Sequence, residues 1–494
     1  MRFVPLLAPT ILFAATTGAA QQPAANQRTG ADLGVIVARA VAAMGGDSAL
    51  RAVRAVTVEY YGAQFNLGQE ETPRSPARAS VVTGRITNDY AGGRRLSALE
   101  VRLPTGTVNR PRRVTAGGIG MLESQGRLTA DNAATVAGEE NSLRRAPERL
   151  LLAALDDPSA LTALRPRQWR GEVMDGVRYA AGRDTLDLWF DRPTARLAVT
   201  ERVTDDPILG DRRTATWLTR WQPTGGVWFA RQVDVEVNGR IQQHLNFTAV
   251  TLNPETPDSL FAIPDSIAVA APRSGTAPAP VAVTLQPLAA GLWRAEGGSH
   301  HSLVVVQGER LVVVEAPQNA TRVGAVLDTL RARFPRHRVE MVVNTHHHWD
   351  HAGGVRAALA AGLPVVTHAR NVEFLREIGS ATKTVAPDAL SRAPRAPVVR
   401  AVTDSLVIGT GDQRVVVYAL PTAHAEGMLV AYVPAARLLF TSDVLTPGPT
   451  LAAAGSRELV AFARAWGLAV ARVVGGHGGV AEWAEVERAA GGGQ

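Results

Sequence analysis

The chain contains no cysteine. It therefore forms no disulfide, offers no thiolate to a metal or an electrophile, and cannot carry a lipid on an N-terminal cysteine. Any metal it holds must be bound by His, Asp or Glu. Lysine is almost as scarce, Lys383 being the single one among 52 basic residues. The formal charge of +7 is thus an arginine charge, and the arginines are scattered among 45 acidic residues. The densest runs, 110–113 and 331–338, are short, with Phe334 as their only aromatic. A nucleic-acid surface needs a basic stripe with interleaved stacking side chains, so no nucleic-acid partner is expected. The apolar stretch Phe3–Ala15 is short and broken by Pro5 and Pro9, which makes it a poor membrane span.

That stretch reads instead as a targeting signal. Arg2 supplies a positive start, and Thr16-Thr17-Gly18-Ala19-Ala20 supplies small residues before Gln21, as a signal-peptidase site requires. The expected organisation is a signal peptide over 1–20, a flexible leader over 21–30, and a periplasmic or secreted protein with no membrane span after cleavage. The alternative is an uncleaved N-terminal anchor. A hydrophobic content of 46% over 494 residues predicts two folded domains.

Leu33, Ile36, Val37, Ala40, Val41 and Met44 recur at helical spacing before Gly45-Gly46. From Val53 to about Phe261 most segments read as strands, and alternating Val233–Val237 runs into the hairpin signal Asn238-Gly239. Pro147 to Leu155 is the one clear helix that interrupts them. Residues 31–269 are therefore predicted as a mainly antiparallel β domain with a few helices. Ala, Pro, Gly and Ser dominate 270–283, a linker. Over 284–494 short apolar strands alternate with helical segments, including Arg322–Phe334, Gly354–Ala361 and Glu458–Val473. This is an α/β pattern.

The most informative stretch is Asn344-Thr345-His346-His347-His348-Trp349-Asp350-His351, between a strand and a helix. His346 and His348 can face one way from extended chain. Asp350 and His351 lie where the chain turns into the helix and can face a neighbouring position. Imidazole and carboxylate suit zinc and similar ions. His424, Asp443 and His477 each follow a predicted strand, where α/β sites gather. Two adjoining sites are expected: His346, His348 and His424 around one ion, and Asp350, His351 and His477 around another. Asp443 would lie between them, because a carboxylate has two oxygens to share.

The order H-x-H-x-D-H, then His, Asp and His resembles the metallo-β-lactamase superfamily, from about Leu285 to the end of the chain. The resemblance implies an αββα sandwich and a hydrolase with a small-molecule substrate and two divalent metal ions. Zinc is the expected ion, with iron or manganese as alternatives. It also implies that Asp350 orients the attacking hydroxide or handles its proton. Asp443 stands where one large group of true β-lactamases has cysteine, and is more similar to thiolester hydrolases and lactonases. Only 17 residues follow His477, which argues against the helical thiol-binding extension of the glyoxalase II kind. Ala425-Glu426-Gly427 and Glu315-Ala316-Pro317 replace the Thr-Pro-Gly and Asp-Thr-Gly common among relatives, so the substrate is left open. The alternatives are an envelope ligand-binding protein with a structural metal domain, and a β-lactamase proper.

Met44-Gly45-Gly46, Val227-Trp228-Phe229, Asn253-Pro254 and Phe261-Ala262-Ile263-Pro264 resemble periplasmic lipoprotein-carrier proteins. That resemblance implies a curved antiparallel sheet able to take a lipid-like ligand. Of the remaining candidates, His347 should face away from the metals and support them. His300 and His301 are read mainly as structural, with lining of the pocket mouth as the alternative, Trp349 as packing under the ligand loop, and His368 as a surface residue that could also reach the site. His244 and His337 show no partner pattern.

Overall fold

The apolar stripe Leu33, Val37, Ala40 and Val41 forms one face of the helix Gly30–Ala43 and is buried, as is Met44 just beyond its end. Gly45 and Gly46 end that helix with φ of 124° and 95°, a region that favours glycine. At Gly45 a Cβ would also lie 2.4 Å from the Gly226 carbonyl. The computed structural model describes residues 30–182 and 184–491. The expected signal segment, and the leader apart from Gly30, lie outside them. Among the described residues no helix is long and apolar enough to cross a membrane.

The N-terminal domain is a 14-stranded sheet built from antiparallel pairings. Ala55–Phe65 and Arg240–Leu252 pair near its middle. From the first, the order runs outward to the edge strand Arg127–Ala130, and from the second to Leu161–Trp169. Asn238 and Gly239 take φ of 47° and 80°, the left-handed pair that a two-residue hairpin requires. The helices Gly30–Ala43 and Pro147–Asp156 pack their apolar faces on the sheet around Leu150, Leu151, Leu188 and Phe229. A cavity of about 470 Å³ remains, lined by Val58, Ile86, Leu218, Phe229, Val233 and Phe247 and by Arg95, Arg202 and Arg212.

A second helix interrupts the strands, one of the few expected but not placed from the sequence: Ala133–Arg144, capped by the Asn132 side chain accepting from Thr135 N. It buries only Val136 and Leu143, so it presents no apolar stripe for periodicity to detect. Residues 270–283 carry no helix or strand. Their early part is tied back to the sheet by Ser274 N donating to Gly118 O.

The C-terminal domain stacks two sheets. A seven-stranded sheet runs in order from Thr284–Ala289 to Val399–Val402, and a six-stranded sheet from Ser405–Ile408 to Val480–Glu482. Strand alternation divides the side chains. Leu303, Val305, Val312 and Val314 face Val415, Val417, Leu429 and Phe440 between the sheets, whereas Val304, Leu311 and Val313 face outward onto the helices Ala320–Arg333 and Val355–Ala360. The helices Ala453–Ala465 and Trp483–Gly491 cover the outer face of the other sheet. Both sheets are thus covered on both faces, which explains their nearly continuous apolar strands. The layers are αββα, as expected.

The expected helix Glu458–Val473 is corrected. It spans Ala453–Ala465 and stops at Gly467, where Gly467 N donates to Arg464 O and Leu468 N to Ala463 O, a Schellman cap. Arg472–Gly475 is a strand lying parallel to Leu438–Ser442. An apolar run beyond the glycine imitates helical spacing when the stop is not recognised.

Candidate metal centre

The strand Arg338–Val343 delivers the chain to the layer edge, and Asn344 to His348 follow in neither helix nor strand, all buried. The short helix Trp349–Ala352 then swings Asp350 and His351 back toward the same point. Close packing here demands glycine. A Cβ on Gly353 would lie 2.0 Å from Gln318 O, and one on Gly354 would lie 2.1 Å from Val323 Cγ2. His424 follows the strand Val415–Leu420, Asp443 follows Leu438–Ser442, and His477 follows Arg472–Gly475.

These loops converge. Single ligand atoms of His346, His348, His424 and Asp443 all lie within 4.8 Å of one another, as do those of His300, Asp350, His351 and His477. Asp443 reaches both groups. Its Oδ1 is 2.9 Å from His351 Nε2 and 3.2 Å from His477 Nε2, and its Oδ2 is 3.4 Å from His424 Nε2. The structure thus brings together all seven expected residues and adds His300. The ring of His300 lies 3.9 Å from that of His477, and its Nε2 lies 3.1 Å from Asp350 Oδ2. Its position between two glycine-flanked strands gave no periodic or motif signal.

Whether these residues suit a cation is tested by their unsatisfied atoms. His346 Nε2 and His348 Nδ1 are buried without a hydrogen-bond partner, and His351 Nε2, His424 Nε2 and Asp443 Oδ1 are buried with no partner but the histidine–Asp443 contacts inside the centre. Buried polar atoms are normally satisfied, and a set of such atoms facing one another is what a cation would satisfy. The far nitrogens of His346, His348, His351 and His477 are held. His351 Nδ1 donates to Glu315 Oε2 at 2.8 Å, His477 Nδ1 to Ser299 O at 3.0 Å, and His348 Nε2 to Glu70 O at 2.9 Å. Thr345 donates its hydroxyl hydrogen to Glu315 at 2.8 Å, which leaves its oxygen to accept from His346 Nδ1 at 3.1 Å. Metal-ligating imidazoles are oriented in this way.

Glu315 is central to that support. Its side chain is fully buried, and Ser442 also donates to it at 2.5 Å. Glu315 takes φ of 80° and Ser442 50°, sparsely populated backbone for such residues that tends to cluster at functional sites.

Electrostatics divides the histidines. Burial pushes His346 well below the usual imidazole value, His348 below it, and His424 down to about 4. These three are neutral and ready to ligate at neutral pH. Burial also works against charge on His351, but Glu315 and Asp443 overcome it and hold this ring well above the usual value. The Asp443 contact raises His477. Asp350 sits at about 2: burial opposes ionisation, while His300, the His351 charge and Gln69 outweigh it.

His347 is buried outside both groups, its Nε2 donating to Glu70 O at 3.0 Å. Trp349 does not pack beneath the loop. It is half-exposed and stands against Gly68 of the N-terminal domain. His368 is half-buried, its Nδ1 accepting from Arg370 N at 3.2 Å. His244 does have a partner, Asp234 on the adjacent strand at 2.6 Å, a cross-strand pair that local spacing does not reveal. The ring of His337 packs against Phe334.

Residues 295–477 match the family described as the metallo-beta-lactamase superfamily. No curated protein matches the chain. Among solved structures the chain is similar to a metallo-beta-lactamase from Pontibacter korlensis, at 18% identity over 42% of this chain and 96% of that one, with a TM-score of 0.32. It is similar also to the metallo-beta-lactamase FIM-1 from Pseudomonas aeruginosa in its mono-zinc form, at 16% identity over 43% of this chain and 96% of that one, with a TM-score of 0.35.

Proposed function

We propose that the metallo-β-lactamase superfamily domain at residues 295–477 is a hydrolase dependent on two divalent ions, zinc foremost, that cleaves an ester, lactone, thioester or amide-type bond in a small-molecule substrate. The observation that carries this reading is that two groups of four His and Asp side chains each bring ligand atoms within 4.8 Å of one another, with buried atoms among them that nothing outside the centre satisfies. Bound there, such ions would supply a water made nucleophilic at neutral pH. In this reading His346, His348 and His424 hold one ion, and Asp350, His351 and His477 hold the other. Asp443, which reaches residues of both groups, would serve both. Asp350 would also orient the attacking water or handle its proton. Glu315 fixes His351, and Thr345 fixes His346.

The test is elemental analysis together with a panel of esters, lactones, thioesters and a chromogenic cephalosporin. The double variant His346→Ala/His348→Ala should lose both metal and turnover. Full activity after exhaustive metal removal would overturn the reading. Export to the periplasm or medium is proposed from residues 1–20, and the N-terminal sequence of the protein recovered from its host checks it.

A second reading concerns the N-terminal domain, where the partly apolar cavity with arginines in its lining favours a lipid-like ligand. Native mass spectrometry of protein from its own host is the check, and protein that carries no such ligand counts against it.

A further inference from the structure

The N-terminal domain also touches the metal centre. Residues 66–78 join the strands Ala55–Phe65 and Ala79–Asp89, and this loop lies against the ligand stretch. Gln69 Nε2 donates to Asp350 Oδ1 at 2.7 Å. The Glu70 carbonyl accepts from His348 Nε2 at 2.9 Å and from His347 Nε2 at 3.0 Å. Trp349 N donates to Gly68 O at 3.2 Å, and Glu426 N donates to Glu71 O at 2.7 Å. Arg78 donates to Ala423 O at 2.9 Å, beside His424. One loop thus reaches both the 346–351 stretch and the turn that carries His424.

Two of these contacts determine ligand geometry. A carbonyl can only accept, so His348 must carry its hydrogen on Nε2 when neutral, which frees Nδ1 as a lone-pair donor. That Nδ1 is one of the buried, unpartnered atoms. Asp350 is held from both sides, Oδ1 by Gln69 and Oδ2 by His300, so its carboxylate cannot rotate freely. The loop is itself braced. The Glu70 side chain is 2% exposed, its carboxylate accepting from Gly68 N at 2.7 Å and from Arg240 at 2.5 Å. Gly68 takes φ of 84°, and a Cβ there would lie 3.1 Å from Trp349 Cδ1.

We propose that residues 68–71 are a strap through which the N-terminal domain completes the metal centre, with Gln69 as a positioning residue for Asp350 and the Glu70 carbonyl selecting the tautomer of His348. This rests on the reading that the centre binds metal. It assigns the N-terminal domain a direct part in metal affinity, separate from any ligand of its own.

The test uses the full chain, with Zn²⁺ and Co²⁺ as the only probes. Zinc affinity is measured by competition with a chromophoric chelator, and the ligand field is read from the visible spectrum of the cobalt form. Gln69→Ala should bind the first ion as the unmodified protein does and the second about 10–100-fold more weakly, with an altered spectrum for the second cobalt equivalent. Gly68→Val displaces the strap without removing any side chain that meets the ligands, and should weaken both ions. Thermal melting of the metal-free variants identifies any that fail to fold. If Gln69→Ala matches the unmodified protein within about twofold for both ions and in its spectrum, the strap is refuted while the metal reading stands. If the unmodified protein binds no zinc, the metal reading itself fails and the strap with it.

Discussion

Replacing Glu315 with glutamine removes one charge from the centre of the support network and little else. The amide oxygen can still accept from His351 Nδ1, and the amide nitrogen can donate to the hydroxyl oxygens of Thr345 and Ser442, now held at 2.8 and 2.5 Å from the carboxylate. The cost to folding should therefore be small, and the cost to metal binding direct. A carboxylate behind an imidazole raises its basicity and fixes its orientation, and removal of such a partner weakens metal binding about 10–100-fold, or about 1.4–2.7 kcal/mol. The proton sharpens the test. Glu315 and Asp443 hold His351 well above the usual imidazole value against the effect of burial. In the metal-free protein at neutral pH this ring is therefore protonated, and an arriving ion must displace the proton. Affinity should rise with pH until the proton is gone. In Glu315→Gln the value of His351 falls, so fewer protons leave on loading and the pH dependence flattens. The loss of affinity should be largest at alkaline pH and narrow toward acid pH, where the unmodified protein is hindered by its own proton. Chelator competition across pH gives the affinities, and calorimetry in buffers of different ionisation enthalpy counts the protons. Unchanged affinity at high pH with unchanged proton release would refute the role assigned to Glu315.

Two stability predictions follow from buried charges away from the centre. Asp388→Asn should destabilise by about 3 kcal/mol, because it leaves the 3% exposed Arg356 without its carboxylate partner. Burial acts against the Asp388 charge, but Arg356 and Ser391 hold its value below the usual carboxylate range. The unmodified protein therefore keeps this stabilisation above that range and loses it as pH falls, so urea melts of the two proteins should converge in acid. Glu148 is the opposite case. Burial raises it despite its 2.5 Å contact from Tyr90. The unfolded chain releases this proton before the folded one does, so stability falls as pH rises from the ordinary value of 4.5. Glu148→Gln should thus gain on the unmodified protein between acid and neutral pH in thermal melts, and a constant difference across that range would count against the argument.

The sequence exposes those parts of the centre whose residues are close together or stand at strand ends. The stretch His346 to His351 is legible because two-residue spacing and a helix start determine where side chains point. His424, Asp443 and His477 are legible because short apolar strands precede them, even though the strand before His477 is partly masked by helix-like spacing. Glu315 is visible as a departure from a common turn, but its task depends on strand pairing that brings it to His351 across 36 residues. Gln69 meets Asp350 across 281 residues and from another domain. No local period encodes such a contact. The helix Ala133–Arg144 fails to announce itself for a related reason: its place comes from its cap and two buried side chains, not from a stripe.

The pairing of Ala55–Phe65 with Arg240–Leu252 has a kinetic consequence. The middle of the N-terminal sheet cannot close until the chain is complete to about residue 252, so each half must wait, with an open edge, for the other. Loop closure over that span costs entropy before any contact repays it, which makes this seam a candidate for the slowest step in folding. The strap leaves the sheet at the end of one of the two seam strands, at Phe65. The long-range seam of the sheet is thus also the part that aims the strap.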